Sequence, residues 1–233
     1  MQDDDMHVAL SIGGSSVNPA GKPDLEFVKA VAGIIKKSKN QFGILTGGGS
    51  IARIYAQAAR DLGAGEYEAD SIAITATRQN AQLLIAGLKG TGINVYPSAI
   101  YDFDKAKEIA AEYKVVVMGG TIPGITTDTD AVLLGEAIGA KRLVNVSNVD
   151  AIYDKDPRKN KNAKKYAKMD YEELVSLALD SDKRKAGTHF VFDMLACKLI
   201  ARSSIETHFV SGKNIKDMEN AIEGKKHNGT LVK

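Results

Sequence analysis

Short apolar runs of strand-forming residues recur along the chain at 7–12 (HVALSI), 42–46 (FGILT), 115–120 (VVVMGG), 142–147 (RLVNVS) and 207–212 (THFVSG). Between them the apolar positions return every three or four residues, the spacing of one helix face. This alternation predicts an α/β fold, a three-layer αβα sandwich with a mainly parallel central sheet covered by helices on both sides. The clearest helix is 24–37, in which Leu25, Phe27, Val28, Val31, Ile34 and Ile35 make one stripe behind Asp24, a candidate N-cap. Similar spacing predicts helices over 50–62, 70–88, 104–112, 127–138, 170–179, 193–203 and 215–222.

The chain has 233 residues, enough to bury roughly 70% of the surface its unfolded form exposes. A lysine-rich patch, 154–169, follows the run at 142–147 and reads as an exposed loop. A soft lobe boundary is therefore expected near residue 140, dividing 1–140 from 141–233 without breaking the sheet.

Composition is that of an ordinary soluble protein, with 44% hydrophobic and 26% charged residues and a net charge of +2. That charge gives no reason to expect nucleic acid or an anionic membrane as a partner. No apolar run approaches the ~20 residues of a membrane span, and the acidic start is unlike a signal peptide. The single cysteine, Cys197, sits in an apolar pattern and reads as a small core residue. A cytoplasmic location is expected.

Three strands run into glycines: "SIGGSS", "LTGGGS" and "MGGTIPGITTD". In an open α/β sheet the carboxyl ends of strands border the ligand crevice. Glycines let the backbone approach an anion, and helix starts add N–H donors. With Ser15, Ser16, Ser50, Thr121, Thr126 and Thr127 beside them, the three loops outline a phosphate site. The Walker pattern, a dinucleotide G-x-G-x-x-G at a strand–helix junction and a G-x-S-x-G elbow are all missing. One cysteine and four scattered histidines (His7, His189, His208, His227) argue against a metal cluster, so no protein-held metal is expected.

The ordered series "IGGSS", "TGGGSIARIY", "TRQNAQLL", "VMGGTIPGITTDTDAVLLGE", "VSNVDAIYDKDPRKNKNAKK", "FDMLACKLIARSSI" and "HNGTLV" resembles the amino acid kinase superfamily, and most closely its archaeal-type uridylate kinases. The resemblance implies transfer of the γ-phosphoryl group of Mg-ATP to UMP, giving UDP and ADP, with Mg²⁺ carried by ATP as the cofactor. It further implies a homohexamer, a role in pyrimidine nucleotide biosynthesis, a UMP-binding and oligomerising lobe at 1–140 and an ATP-binding lobe at 141–233. The faces of helices 24–37 and 70–88 are candidates for the subunit contacts.

Residue by residue, the resemblance implies that Gly13, Gly14 and Ser15 line the channel of the moving phosphate. Gly49 and Arg53 then face the ATP phosphates, and Ser147, Asn148, Tyr153 and Asp156 form the ATP-binding segment. Gly48, Asp70 and the loop Thr121, Ile122, Pro123, Gly124, Ile125, Thr126 and Thr127 match the UMP side. Asp70 suits ribose hydroxyls, and equally suits the N-cap of a helix. Gly14, Arg53 and Asp193 are the expected catalytic group, Asp193 being also a candidate helix cap. The first strand has Ser11 where many relatives carry lysine, which leaves Arg53 or a lysine as the stabilising cation. Other readings stay open: a kinase of this fold acting on isopentenyl phosphate or an amino acid, or a non-enzymatic oxyanion store.

Overall fold

The computed structural model describes residues 6–182 and 192–233, so His189 lies outside the described residues. The expected strands form as β1 His7–Ile12, β2 Gln41–Thr46, β3 Val115–Met118 and β4 Arg142–Ser147. Four short strands unmarked by any periodicity follow: β5 Ile152–Tyr153, β6 Lys165–Tyr166, β7 Lys168–Met169 and, beyond β8 Glu206–Ser211, β9 Thr230–Val232. Seven strands make one sheet in the order β3-β2-β1-β4-β8-β9-β7, while β5 and β6 pair separately. All its pairings are parallel except β8 with β9.

Alternate residues of the central strands enter different cores, as a sheet buried on both sides requires. Val8, Leu10, Ile12, Phe42, Ile44, Val144 and Val146 pack on one face, against helices α2 Leu25–Lys37, α4 Glu66–Lys89 and α9 Ile215–Ile222. Ala9, Leu45, Val116, Met118 and Leu143 pack on the other, against α5 Phe103–Ala110, α6 Thr127–Ala137, α7 Tyr171–Asp182 and α8 Met194–Ser203. The remaining helices, α1 Gly14–Val17 and α3 Gly49–Asp61, both start at glycine loops. The layered fold is as expected.

Helix α2 shows how local sequence fixes an element. The Asp24 carboxylate accepts the Phe27 amide at 2.9 Å and caps the start, while Phe27, Val28, Val31, Ile34 and Ile35 are buried. Each such side chain contributes about 1.5–3 kcal/mol. Leu25 departs from the expected stripe and is 56% exposed.

Other boundaries shift. The helix expected at 70–88 begins four residues earlier, behind Gly65, so Asp70 lies a turn inside it and caps nothing. The run at 115–120 stops pairing at Met118, where the glycines begin. Part of the lysine-rich patch forms β6 and β7 instead of loop. Cys197 is fully buried, as expected, and burial pushes its thiol pKa up. His208 and His227, far apart in the sequence, meet ring to ring with 2.7 Å between Nδ1 and Nε2.

Candidate functional site

The chain enters the sheet at β1, passes to β2 on one side and later to β4 on the other. The crevice between the carboxyl ends of β1 and β4 is thus the point where strand order reverses. There the Gly13 amide donates to the Val146 carbonyl at 2.8 Å, tying the first glycine loop to the end of β4. Above this junction opens a cleft of about 490 Å³.

Its walls come from the three glycine-bearing segments. Gly13, Gly14 and Ser15 follow β1; Gly47, Gly48, Gly49 and Arg53 follow β2; Ile122, Ile125, Thr126 and Thr127 follow β3. Asp70 and Ser147 complete the sequence-expected residues that line it. Two of the glycines are dictated by contact. A Cβ on Gly14 would stand 2.1 Å from the Gly49 nitrogen and 2.5 Å from the Gly47 oxygen. Gly49 has φ +68°, and a Cβ there would stand 2.2 Å from Asn18 Oδ1. Helix α3 then opens without a side-chain cap, leaving its first-turn amides to the cleft.

The remaining expected residues sit around the cleft. Thr121 turns inward, its hydroxyl donating to Asp130 Oδ1 at 2.6 Å and its amide to Oδ2 at 3.1 Å. The Gly124 amide donates to Asp70 Oδ2 at 2.9 Å, so Asp70 holds the tip of the loop containing Pro123 and Gly124. Thr126 caps α6 and donates its hydroxyl to Asp193, which also receives the Thr129 hydroxyl at 3.1 Å. Asp193 also caps α8 through the Ala196 amide at 2.9 Å, as the helix-cap reading of it expects. It braces the loop from behind and does not line the cleft.

Asn148 lies in an adjoining pocket of about 360 Å³ that shares Ser147 and is lined by Ser16, Asp24, Phe27 and Lys213. Tyr153 and Asp156 line neither space. The Tyr153 hydroxyl donates to Asp150 at 2.9 Å, and burial with that bond pushes its pKa up to about 12. Asp156 pairs with Arg158 at 3.2 Å.

Sequence reading missed Asp128 and Asn145, both on the cleft wall. Asp128 Oδ1 accepts the Ser11 hydroxyl at 3.1 Å. Burial, with the Asp193 charge adding to it and the Ser11 bond opposing, pushes the Asp128 carboxyl up to about 7. Asn145 stands in register with Ser11 on β4 and is buried. The only available signal for Asp128 was a carboxylate in the first turn of a helix behind a glycine loop, where such residues are common as dipole partners.

Among the described residues lining the cleft, Arg53 supplies the one cationic side chain, and no lysine is present. Nor do the described residues contain a group of three or more His, Cys, Asp or Glu placed to hold a metal. The glycine loops share this cleft with Arg53, Asp70 and Asp128. Ala73, Ile74, Ile122 and Ile125 add an apolar wall.

A model of the amino acid kinase family matches residues 6–211. A uridylate kinase of Thermococcus kodakarensis is 43% identical over 229 residues, covering 97% of this chain and 99% of that protein. One from Archaeoglobus fulgidus is 42% identical over 89% of this chain and 91% of its own length. The crystal structure of uridylate kinase from Archaeoglobus fulgidus superposes with a TM-score of 0.83 at 37% identity, covering 98% of this chain and 100% of that one. A UMP kinase from Bacillus anthracis shares the fold, with a TM-score of 0.82 at 22% identity over 97% of this chain and 95% of that one.

Proposed function

The chain belongs to the amino acid kinase family, and we propose that it is a uridylate kinase that transfers the γ-phosphoryl group of Mg-ATP to UMP. The observation that carries this reading is the convergence of three glycine-bearing segments on one cleft with Arg53 as its cation. Two phosphorylated substrates can face one another there, with Arg53 and the first-turn amides of α3 to meet their charge. UMP phosphate is itself a competent nucleophile near neutral pH, so transfer needs alignment and charge neutralisation, and no general base.

In this reading Gly13, Gly14, Ser15 and Gly49 hold the transferring phosphate, with Arg53 beside it. Gly48 and the segment 121–127 receive UMP, whose flat base suits the apolar wall of Ile74, Ile122 and Ile125. Asp70 exchanges its bond to the Gly124 amide for the ribose hydroxyls. Ser147 and Asn148 take ATP, and Tyr153 and Asp156 border its nucleoside from outside the cleft. Asp193, through Thr126 and Thr129, keeps the acceptor loop in place.

The magnesium chemistry required is charge neutralisation between phosphate oxygens. Asp128 fits that ion's preference for one or two oxygen ligands with several waters retained, so the ion enters with ATP and is not held by the protein alone. The residues 1–140 form the UMP lobe and 141–233 the ATP lobe of one sheet.

Assembly into a homohexamer in the cytoplasm, serving pyrimidine nucleotide synthesis, completes the proposal. Its structural support is the set of exposed large apolar residues Ile54 and Tyr55 on α3, Leu62 at its end, and Tyr67 and Ile72 on α4. The α2 stripe is taken up by the core, which leaves only Leu25 for a neighbour. No helix among the described residues is long and apolar enough to cross a membrane.

The test is ADP release from Mg-ATP with UMP, CMP, AMP, isopentenyl phosphate or no acceptor. Release that depends on UMP is expected. Release with isopentenyl phosphate alone would move the chain to another acceptor, and ATP binding without release would make it an oxyanion store.

A further inference from the structure

One turn of α4, Thr77-Arg78-Gln79-Asn80, touches two of the backbone loops that shape the cleft. Arg78 donates Nε to the Gly120 carbonyl at 3.2 Å and Nη2 to the Thr121 carbonyl at 3.1 Å. Its guanidinium also lies over the Tyr101 ring, 4.3 Å from the centroid. The Gly120 amide donates to Thr77 Oγ1 at 2.6 Å. Gly119 is in such close contact that a Cβ there would stand 2.8 Å from the Arg78 nitrogen.

The same turn reaches the glycine triplet. Asn80 Nδ2 donates to the Gly47 carbonyl at 2.7 Å, and Asn80 Oδ1 accepts from Asn18 at 2.8 Å. Thr46, the last residue of β2, donates its hydroxyl to the Thr77 carbonyl at 2.9 Å. With these carbonyls bound by α4, neither loop can turn them toward an anion.

We propose that Arg78 and Asn80 are positioning residues that hold the acceptor loop and the glycine triplet in one register, so that acceptor and transferring phosphate align. Neither side chain lines the cleft, so each acts through the backbone it holds. Arginine is required at 78 because two neighbouring carbonyls need a planar fork, which an ammonium group does not offer. The inference rests on the kinase reading for its kinetic consequence, and on the hydrogen bonds alone for its structural one.

Both consequences are measured on Arg78→Ala, Arg78→Lys and Asn80→Ala beside the wild type. For Arg78→Ala the KM for UMP is expected to rise about tenfold or more while the KM for ATP stays within about twofold, with Arg78→Lys intermediate. For Asn80→Ala the turnover is expected to fall more than either KM rises. Amide hydrogen exchange should quicken over 119–127 in the first variant and over 46–52 in the second, with melting temperatures that show both folded. Unchanged exchange in those segments, or equal effects on both substrates, overturns the inference. A wild type with no UMP-dependent turnover but with the expected exchange pattern would overturn the kinase reading and leave the positioning role standing.

Discussion

Ser11 donates its hydroxyl to Asp128 across 3.1 Å, joining β1 to the first turn of α6 at the side of the cleft. The bond favours the ionised carboxyl, yet burial wins and holds the Asp128 pKa at about 7. His208 moves in the opposite sense. Burial between β8 and the C-terminal residues, reinforced by His227 and Arg142 against the Glu206 bond, brings it down to about 4.

These two groups give opposite slopes of stability with pH. Asp128 binds its proton more tightly folded than unfolded, so its contribution is complete below about pH 4 and is lost as pH rises through about 7. His208 binds its proton less tightly folded, so its contribution is complete above about pH 6.5 and is lost as pH falls toward 4. Between pH 4 and 6.5 they oppose each other. Asp128→Asn should therefore unmask a rise of melting temperature with pH in that window. Above it, the variant should gain on the wild type by about 3 °C or more by pH 8, at ~2–4 °C for each kcal/mol. Parallel melting curves for the two proteins from pH 4.5 to 8 would refute the Asp128 shift.

Arg53 is the only cationic side chain that lines the cleft among the described residues. If it meets charge that develops during transfer, Arg53→Ala should lower kcat by about a hundredfold with much smaller changes in KM. Steady-state kinetics with each substrate varied in turn decides this, and an unchanged kcat removes Arg53 from the chemistry.

Asp70 should act on one substrate only. Asp70→Asn weakens both the Gly124 bond and the acceptor for ribose hydroxyls, so the KM for UMP should increase about tenfold and that for ATP should not. Equal increases would place Asp70 in general loop stability.

Gly14 has no room for a methyl group between Gly47 and Gly49. Gly14→Ala should cost about 3 kcal/mol or more, since the atoms in the way are backbone and cannot step aside. Chemical denaturation measures it directly, and a loss below about 1 kcal/mol would mean the loops are looser than described.

The fold was legible because long elements repeat their pattern. Helix α2 announces itself by a buried stripe and a cap, and the central strands by unbroken apolar runs. Strands of two or three residues such as β5, β6 and β7 have no room for a period. The start of α4 was misread because Glu66, Tyr67 and Glu68 are exposed and show no stripe. Glycine pairs marked the cleft by their composition alone. Asp128 and Asn80 could not be found that way, since their importance comes from partners 117 and 33 residues distant.

The order of the sheet also sets a timetable for synthesis. Strand β1 leaves the ribosome first and finds β2 after about thirty residues, but its other edge waits for β4, whose residues begin at 142. Until β4 is made, β1 carries a bare edge of unpaired amides and carbonyls, the feature on which nascent chains stick to one another. Expression of this protein should thus respond to chaperones that shield open strands, and a truncation before β4 should aggregate even with its first three strands intact.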